Sequence, residues 1–181
     1  MELIALNALD RETAEREFLR CCGSTRWARE MAAARPFPTV AALAATADEI
    51  WSALDRADWL EAFGAHPRIG EPAAAAARLK ARAPDKELER EASAERSVWS
   101  AQEQSGVAAA SAAIRDRLAA ANRDYFARFG YIFIICASGK SADEMLAALE
   151  RRLTNDPGEE LRMAAEEQRR ITRLRLEKLL T

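Results

Sequence analysis

The sequence predicts a single all-α domain over residues 1–181, and three observations predict it. Its 181 residues include 7 glycines and are rich in Ala, Leu, Glu and Arg, which favour helix. Apolar side chains recur at the three- and four-residue spacing of a helix face. One short apolar run with strand propensity, residues 131–137, has no partner run with which to build a sheet. A chain of this length can bury a sizeable core.

Leu6, Leu9, Phe18 and Leu19 predict the first helical region, with Asp10 capping between two short segments. Arg35-Pro36-Phe37-Pro38 must be irregular, because two prolines remove donors and restrict the residues before them. Thr39 or Thr46 caps the next helix, and Ile50, Trp51 and Leu54, then Leu60 and Phe63, keep helical spacing. Ala65 to Gly70 break the pattern. An alanine-rich helix is predicted over 73–82, Pro84 interrupts it, and the charged residues 85–96 read as a solvated helix or loop. A long helix is predicted from Ser97 to Phe126. Tyr131 to Ala137 read as a buried extended or irregular segment. Ser141-Ala142-Asp143-Glu144 is a capping box opening a helix to Leu153. Asn155-Asp156-Pro157-Gly158 is a turn, with Pro157 at the first helical position, before a last helix from Glu159 to Leu180. The sum is seven to nine helices without internal repeat or linker. Trp27, Trp51 and Trp59 are assigned to the core.

Composition excludes several functions. Lys and Arg total 27 against 29 Asp and Glu, a formal net charge of −2, which argues against a nucleic-acid partner. No apolar run approaches the ~18 residues of a membrane span. Met1-Glu2-Leu3-Ile4 lacks the basic-then-apolar pattern of a secretory signal. Three cysteines (Cys21, Cys22 and Cys136), two of them adjacent, make no disulfide framework and point to the reducing cytoplasm. With one histidine beside them, they supply no zinc ligand set, so no metal is expected.

Three positions stand out chemically. His66 is the single imidazole, the default acid/base group near neutral pH, and Pro67 restricts its backbone to an extended form. A surface or hydrogen-bonded structural histidine is the plain alternative. On a wheel of ~100° per residue, Glu103 and Ser100 fall within ~40° of the apolar position Ile114, with Gln104 at the stripe's edge. A carboxylate there needs a partner or a task. A capping box at Ser100-Ala101-Gln102-Glu103 is the competing explanation. On the last helix Arg175 falls ~40° from Ile171 and faces inward, whereas Arg173 falls near ~200° and faces solvent. An inward arginine seeks an anion. That anion is a ligand or an internal carboxylate, Glu103 included. Cys136 reads as a small packing residue.

Together these segments resemble one family. His66-Pro67-Arg68-Ile69-Gly70, Ser100-x-x-Glu103-Gln104, Phe129 to Ala137 and Ile171-x-x-Leu174-Arg175-Leu176 occur in the order found in the 2-oxo-4-hydroxy-4-carboxy-5-ureidoimidazoline (OHCU) decarboxylases of urate degradation. Trp27 and Arg35-Pro36-Phe37 resemble that family too. One departure is Ile132, where the family often carries proline; residues 71–96 match no motif. The resemblance implies an all-helical fold, a homodimer, no cofactor, and loss of CO2 from the ureidoimidazoline to give (S)-allantoin. It implies His66 as catalytic acid/base and Glu103 as the group orienting substrate beside it. Pro67, Ser100, Gln104, the backbone of Phe133, Ile134, Ile135, Cys136 and Ala137, and Arg175 would bind substrate. Two rivals remain: an interaction module in which Arg175 and Glu103 form a buried ion pair, and a ureide hydrolase using the same residues to activate water. Because the donor count cannot hold a metal, activity should survive prolonged dialysis against EDTA. Loss of activity that one added divalent ion restores would contradict this.

Overall fold

The computed structural model describes residues 1–69, 98–108 and 110–181; the elements predicted within 73–96 lie outside the described residues. Helices form at α1 (Leu3–Ala8), α2 (Arg11–Cys22), α3 (Thr25–Ala33), α4 (Val40–Ala53), α5 (Arg56–Gly64), α6 (Ser105–Ala108), α7 (Ala112–Phe129), α8 (Ala142–Arg152) and α9 (Pro157–Leu179). Residues 98–103 are also helical, and no strand occurs among the described residues. None of the described helices is long and apolar enough to cross a membrane.

The helix starts follow from their caps. Asp10, Ser24, Thr39 and Ser111 each accept a hydrogen bond from a backbone N–H of the first turn they precede. Ser141 forms the predicted capping box with Glu144 and Pro157 takes the predicted place in the first turn of α9, while Asp55 forms a second capping box with Asp58 and Asp156 caps α9, neither read from the sequence. At the end of α7, Gly130 takes φ 80°, donates to the Phe126 carbonyl at 2.9 Å, and turns the chain into the 131–137 segment.

The core lies around α9. That helix, about 34 Å long at ~1.5 Å per residue, packs on α2, α4 and α5, while α2 packs on α3, α3 on α4 and α5, and α7 on α8. Phe18, Trp27, Met31, Leu43, Phe63, Leu118, Tyr125 and Leu149 are fully buried. Two indoles staple helices together: Trp27 Nε1–H donates to the Ala47 carbonyl and Trp51 Nε1–H to the Ala165 carbonyl, each at 3.0 Å. Trp59 is half-buried and donates to the Trp51 carbonyl at 3.2 Å.

The helix predicted from Ser97 to Phe126 is instead broken. The chain turns at Gln104, runs through α6, and restarts at Ser111, whose hydroxyl accepts from Ile114 N–H at 3.3 Å. Gly106 explains the local packing. A Cβ there would sit 2.3 Å from the Lys140 carbonyl oxygen, so only glycine lets the two backbones approach this closely.

Residues 131–137 are buried and irregular, as predicted, with only Ile132 and Cys136 half-buried. Apolar packing holds the start of the segment. Tyr131 lies 5.5 Å from Phe63 and 5.8 Å from Tyr125, and Phe133 lies 5.3 Å from Tyr125. A buried ion pair holds the next part. Arg152 donates to Glu160 through Nε at 2.8 Å and Nη2 at 2.5 Å, and through Nη1 to the Ile134 carbonyl at 2.8 Å. Its guanidinium also lies 4.6 Å from the Phe133 ring centroid. Glu160 further accepts from the Tyr125 hydroxyl, and from Asn155 Nδ2 at 2.7 Å. Removing one member of a buried pair leaves an uncompensated charge at a cost of about 3–5 kcal/mol. Arg152→Ala should therefore lower the thermal midpoint by roughly 6–20 °C for a chain of this size; a shift below ~2 °C would show that the pair is not holding the fold.

Candidate active site

Ser100 and Glu103 are three residues apart on the 98–103 helical stretch and so share a face. Residues 98–100 are already helical, so Ser100 does not cap a helix there. It instead faces α9. Arg175 is fully buried and donates through Nε to Glu103 Oε1 at 3.1 Å and through Nη2 to Glu103 Oε2 at 2.9 Å, a bidentate pair. The same Nη2 donates to the Ser100 hydroxyl at 2.9 Å. Lys178, one turn on, donates to Glu103 Oε1 at 3.3 Å. The inward phase read for Arg175 is therefore observed, and Glu103 is the internal carboxylate it meets. The wheel drawn from Ile114 ran through a helix break; Ser100 and Glu103 face inward because of their own short helical stretch. Gln104 is half-buried at its end, its N–H donating to the Ser100 carbonyl at 3.0 Å.

Arg173 lies about half exposed and pairs with Asp48 of α4, Nε to Oδ1 at 3.2 Å. Arg169 also binds Asp48, Nη1 to Oδ2 at 2.8 Å.

The 131–137 segment is held by the same helix, α9. Cys136 N–H donates to Glu167 Oε2 of α9 at 2.8 Å, and the Cys136 carbonyl accepts from Lys140 Nζ at 2.9 Å. Burial pushes the half-buried Cys136 thiol above its ordinary range; Lys140 draws it back, and Glu167 and Glu103 raise it further. Cys136 thus sits in the field of both carboxylates. Phe133, Ile134, Ile135 and Ala137 bury their side chains in the core, so only their backbone groups remain for a ligand. Of those, the Ile134 carbonyl is already held by Arg152. Beneath Arg175, burial pushes the Cys21 thiol up to about 12, against the pull of Arg175 and Arg20.

His66 and Pro67 lie half-buried just past the end of α5, where His66 N–H donates to the Phe63 carbonyl at 3.1 Å. Their loop is tied to α7. Asn122 Nδ2 donates to the Ile69 carbonyl at 3.3 Å, and the Arg68 guanidinium lies 5.0 Å from the Phe126 ring centroid. Phe63, three residues before His66, packs on Tyr131. Among the described residues no group of three or more His, Cys, Asp or Glu gathers as a metal site would.

The sequence reading missed Arg152, Glu160, Glu167 and Lys178. The signal was present. At ~100° per residue Glu160 and Lys178 fall ~20° from Ile171 and Glu167 ~40° from it, and Arg152 falls ~20° from Met145.

The described residues thus form an all-helical domain in which buried polar side chains of α8 and α9 hold one irregular segment. Residues 7–177 match the OHCU decarboxylase family, and the chain belongs to it. It is 40% identical over 171 residues, 94% of its length, to the uric acid degradation bifunctional protein TTL of Arabidopsis thaliana, covering 48% of that protein. It is 37% identical over 79 residues to the 2-oxo-4-hydroxy-4-carboxy-5-ureidoimidazoline decarboxylase of Amia calva, covering 44% of this chain and 45% of that one. The chain thus spans about half the length of the curated relatives it matches. A crystal structure of an OHCU decarboxylase in the presence of (S)-allantoin superposes with TM-score 0.73 at 38% identity, covering 91% of this chain and 97% of that one.

The geometry separates the two arginines. Arg175→Ala leaves Glu103, whose side chain is 8% exposed, with the single bond from Lys178 at 3.3 Å among the described residues, and should cost roughly 1.5–3 kcal/mol of stability for the lost charged hydrogen bonds. Arg173→Ala leaves Arg169 on Asp48 and should cost less than ~1 kcal/mol. Urea denaturation distinguishes them, and equal losses would mean that the buried pair contributes no more than the surface one.

Proposed function

We propose that this chain is a single-domain enzyme that decarboxylates 2-oxo-4-hydroxy-4-carboxy-5-ureidoimidazoline to (S)-allantoin in urate degradation. The observation that carries this reading is the cluster that Ser100 and Glu103 form with buried Arg175 of the helix whose Glu167 also holds the Cys136 N–H, at the motifs through which the chain resembles its family.

The substrate supplies its own electron sink. When the carboxylate leaves as CO2, the bonding pair stays on the ring carbon and the adjacent ring C=N accepts it. The protein must hold the carboxylate perpendicular to that conjugated system, remove a hydroxyl proton and deliver a proton to one face of the neighbouring carbon. His66 carries the proton transfer, as the single imidazole of the chain. Glu103, engaged through both oxygens by Arg175 and through one by Lys178, fixes the guanidinium and takes a ureido N–H of the substrate. Arg175 Nη1 makes no hydrogen bond to a described residue, which leaves that edge of the guanidinium for a substrate oxygen. Among the described residues the Ile135 N–H and C=O are likewise without a hydrogen bond although Ile135 is buried, and a ring rich in donors and acceptors would satisfy both. Pro67 and Gln104 flank the pocket. The active form is a cytoplasmic homodimer; the free thiols of Cys21, Cys22 and Cys136 suit a reducing compartment.

The test generates the ureidoimidazoline from 5-hydroxyisourate with its hydrolase and follows the decay of that product, with and without this protein. Faster decay with CO2 release and the circular-dichroism signal of (S)-allantoin is expected; no acceleration overturns the proposal, and water-derived oxygen without CO2 makes it a hydrolase. His66→Ala should keep its fold and lose at least ~10²-fold in rate. Near-wild-type turnover would remove His66 from the mechanism. Sedimentation equilibrium tests the dimer.

A further inference from the structure

The segment carrying Ile135 has no helical or sheet ladder to fix its backbone, so its path depends on what grips it from outside. Two charged side chains grip it on either side of Ile135. Arg152 of α8 holds the Ile134 carbonyl at 2.8 Å, and Glu167 of α9 holds the Cys136 N–H at 2.8 Å. Each peptide unit next to Ile135 therefore has one group fixed by an ionised partner, and such bonds are shorter and roughly twice as strong as neutral ones. Glu167 is itself oriented. Its second oxygen accepts from Arg170 Nη1 at 2.9 Å, and its side chain is 14% exposed where that of Arg170 is 56% exposed. Glu167 and Arg175 sit on α9 either side of Ile171, each ~40° from it on the wheel. One rigid helix thus holds both the guanidinium and the loop backbone and fixes their separation.

We infer that Glu167 is a positioning residue for the substrate pocket: as the acceptor for Cys136 N–H it sets where the Ile135 backbone meets the ligand. This rests on the proposed reading that residues 133–137 line the site. Glu167 does not touch the reacting atoms in this account; it acts through Cys136.

A displacement of the segment by about 1 Å is enough to cost ~10- to 100-fold in catalysis. Backbone contacts made equally in ground and transition states are read mainly in KM. The test measures kcat, KM and thermal midpoint for the wild type and for Glu167→Gln, Glu167→Asp and Glu167→Ala, with hydrogen exchange of the peptide spanning residues 130–141. Wild-type turnover comes first; its absence sinks the proposed function itself and is read separately. With an active wild type, Glu167→Gln should stay within ~3-fold in KM, because its amide oxygen still accepts. Glu167→Asp keeps the charge but withdraws it by one methylene. It and Glu167→Ala should raise KM by ~10-fold or more, with kcat within ~3-fold and faster exchange across 130–141. A wild-type KM in Glu167→Asp overturns the inference even if Glu167→Ala fails to fold. A Glu167→Gln variant as impaired as Glu167→Ala overturns it as well, since the effect would then belong to the charge and not to the acceptor.

Discussion

Glu160 is fully buried, yet its carboxylate takes donors from three residues: Arg152, Tyr125 and Asn155. A buried ion pair is weak evidence for stability, because well-packed apolar side chains of similar volume often do as well. Stability alone therefore does not explain this one. The further contact of Arg152 with the Ile134 carbonyl does, since no apolar side chain could satisfy a buried carbonyl. The rest of the arrangement depends on that contact. It lets the chain leave α7 and cross the interior as irregular backbone without leaving the Ile134 carbonyl unpaired.

The phenol of Tyr125 fits the same constraint. Burial and its hydrogen bond to Glu160 both push its ionisation well above the ordinary range, which keeps it a donor at neutral pH. The cluster at Arg175 differs in being open at one side: Lys178, which reaches Glu103, is 37% exposed. One cluster is sealed in the core and the other reaches towards solvent, as expected if the first positions the segment and the second meets a ligand.

Much of this was legible in the chain. Caps at Asp10, Thr39 and Ser141, the place of Pro157, and the irregular Arg35–Pro38 stretch follow from local chemistry that tertiary packing does not override. The inward phase of Arg175 was legible because α9 runs unbroken for 23 residues. The break between Gln104 and Ser111 was not, because the close approach of the Lys140 backbone to Gly106 is a contact across more than thirty residues, and the local traces are one glycine and the Ser111 cap. The Arg175–Glu103 pair stood among the sequence's alternatives, but the partners of Glu160 and Glu167 were not legible. A helical wheel shows that Glu160 and Glu167 face inward, but it cannot say that one meets Arg152 and the other an amide. The resemblance ordered the site residues; it is silent on how α9 holds the loop.

Three of the polar groups that α9 turns inward, Glu160, Glu167 and Arg175, follow one another after seven and eight residues, or ~10.5 and ~12 Å along the axis. The helix therefore works as a ruler with three marks. Its outer face can exchange one residue for another freely, but its length between the marks cannot vary. Inserting or deleting a single residue there would rotate every later mark by ~100° and slide it ~1.5 Å, turning the guanidinium away from Ser100 and Glu103 while the loop stayed in place. Related sequences should accordingly differ in length elsewhere and keep the count between these three positions constant.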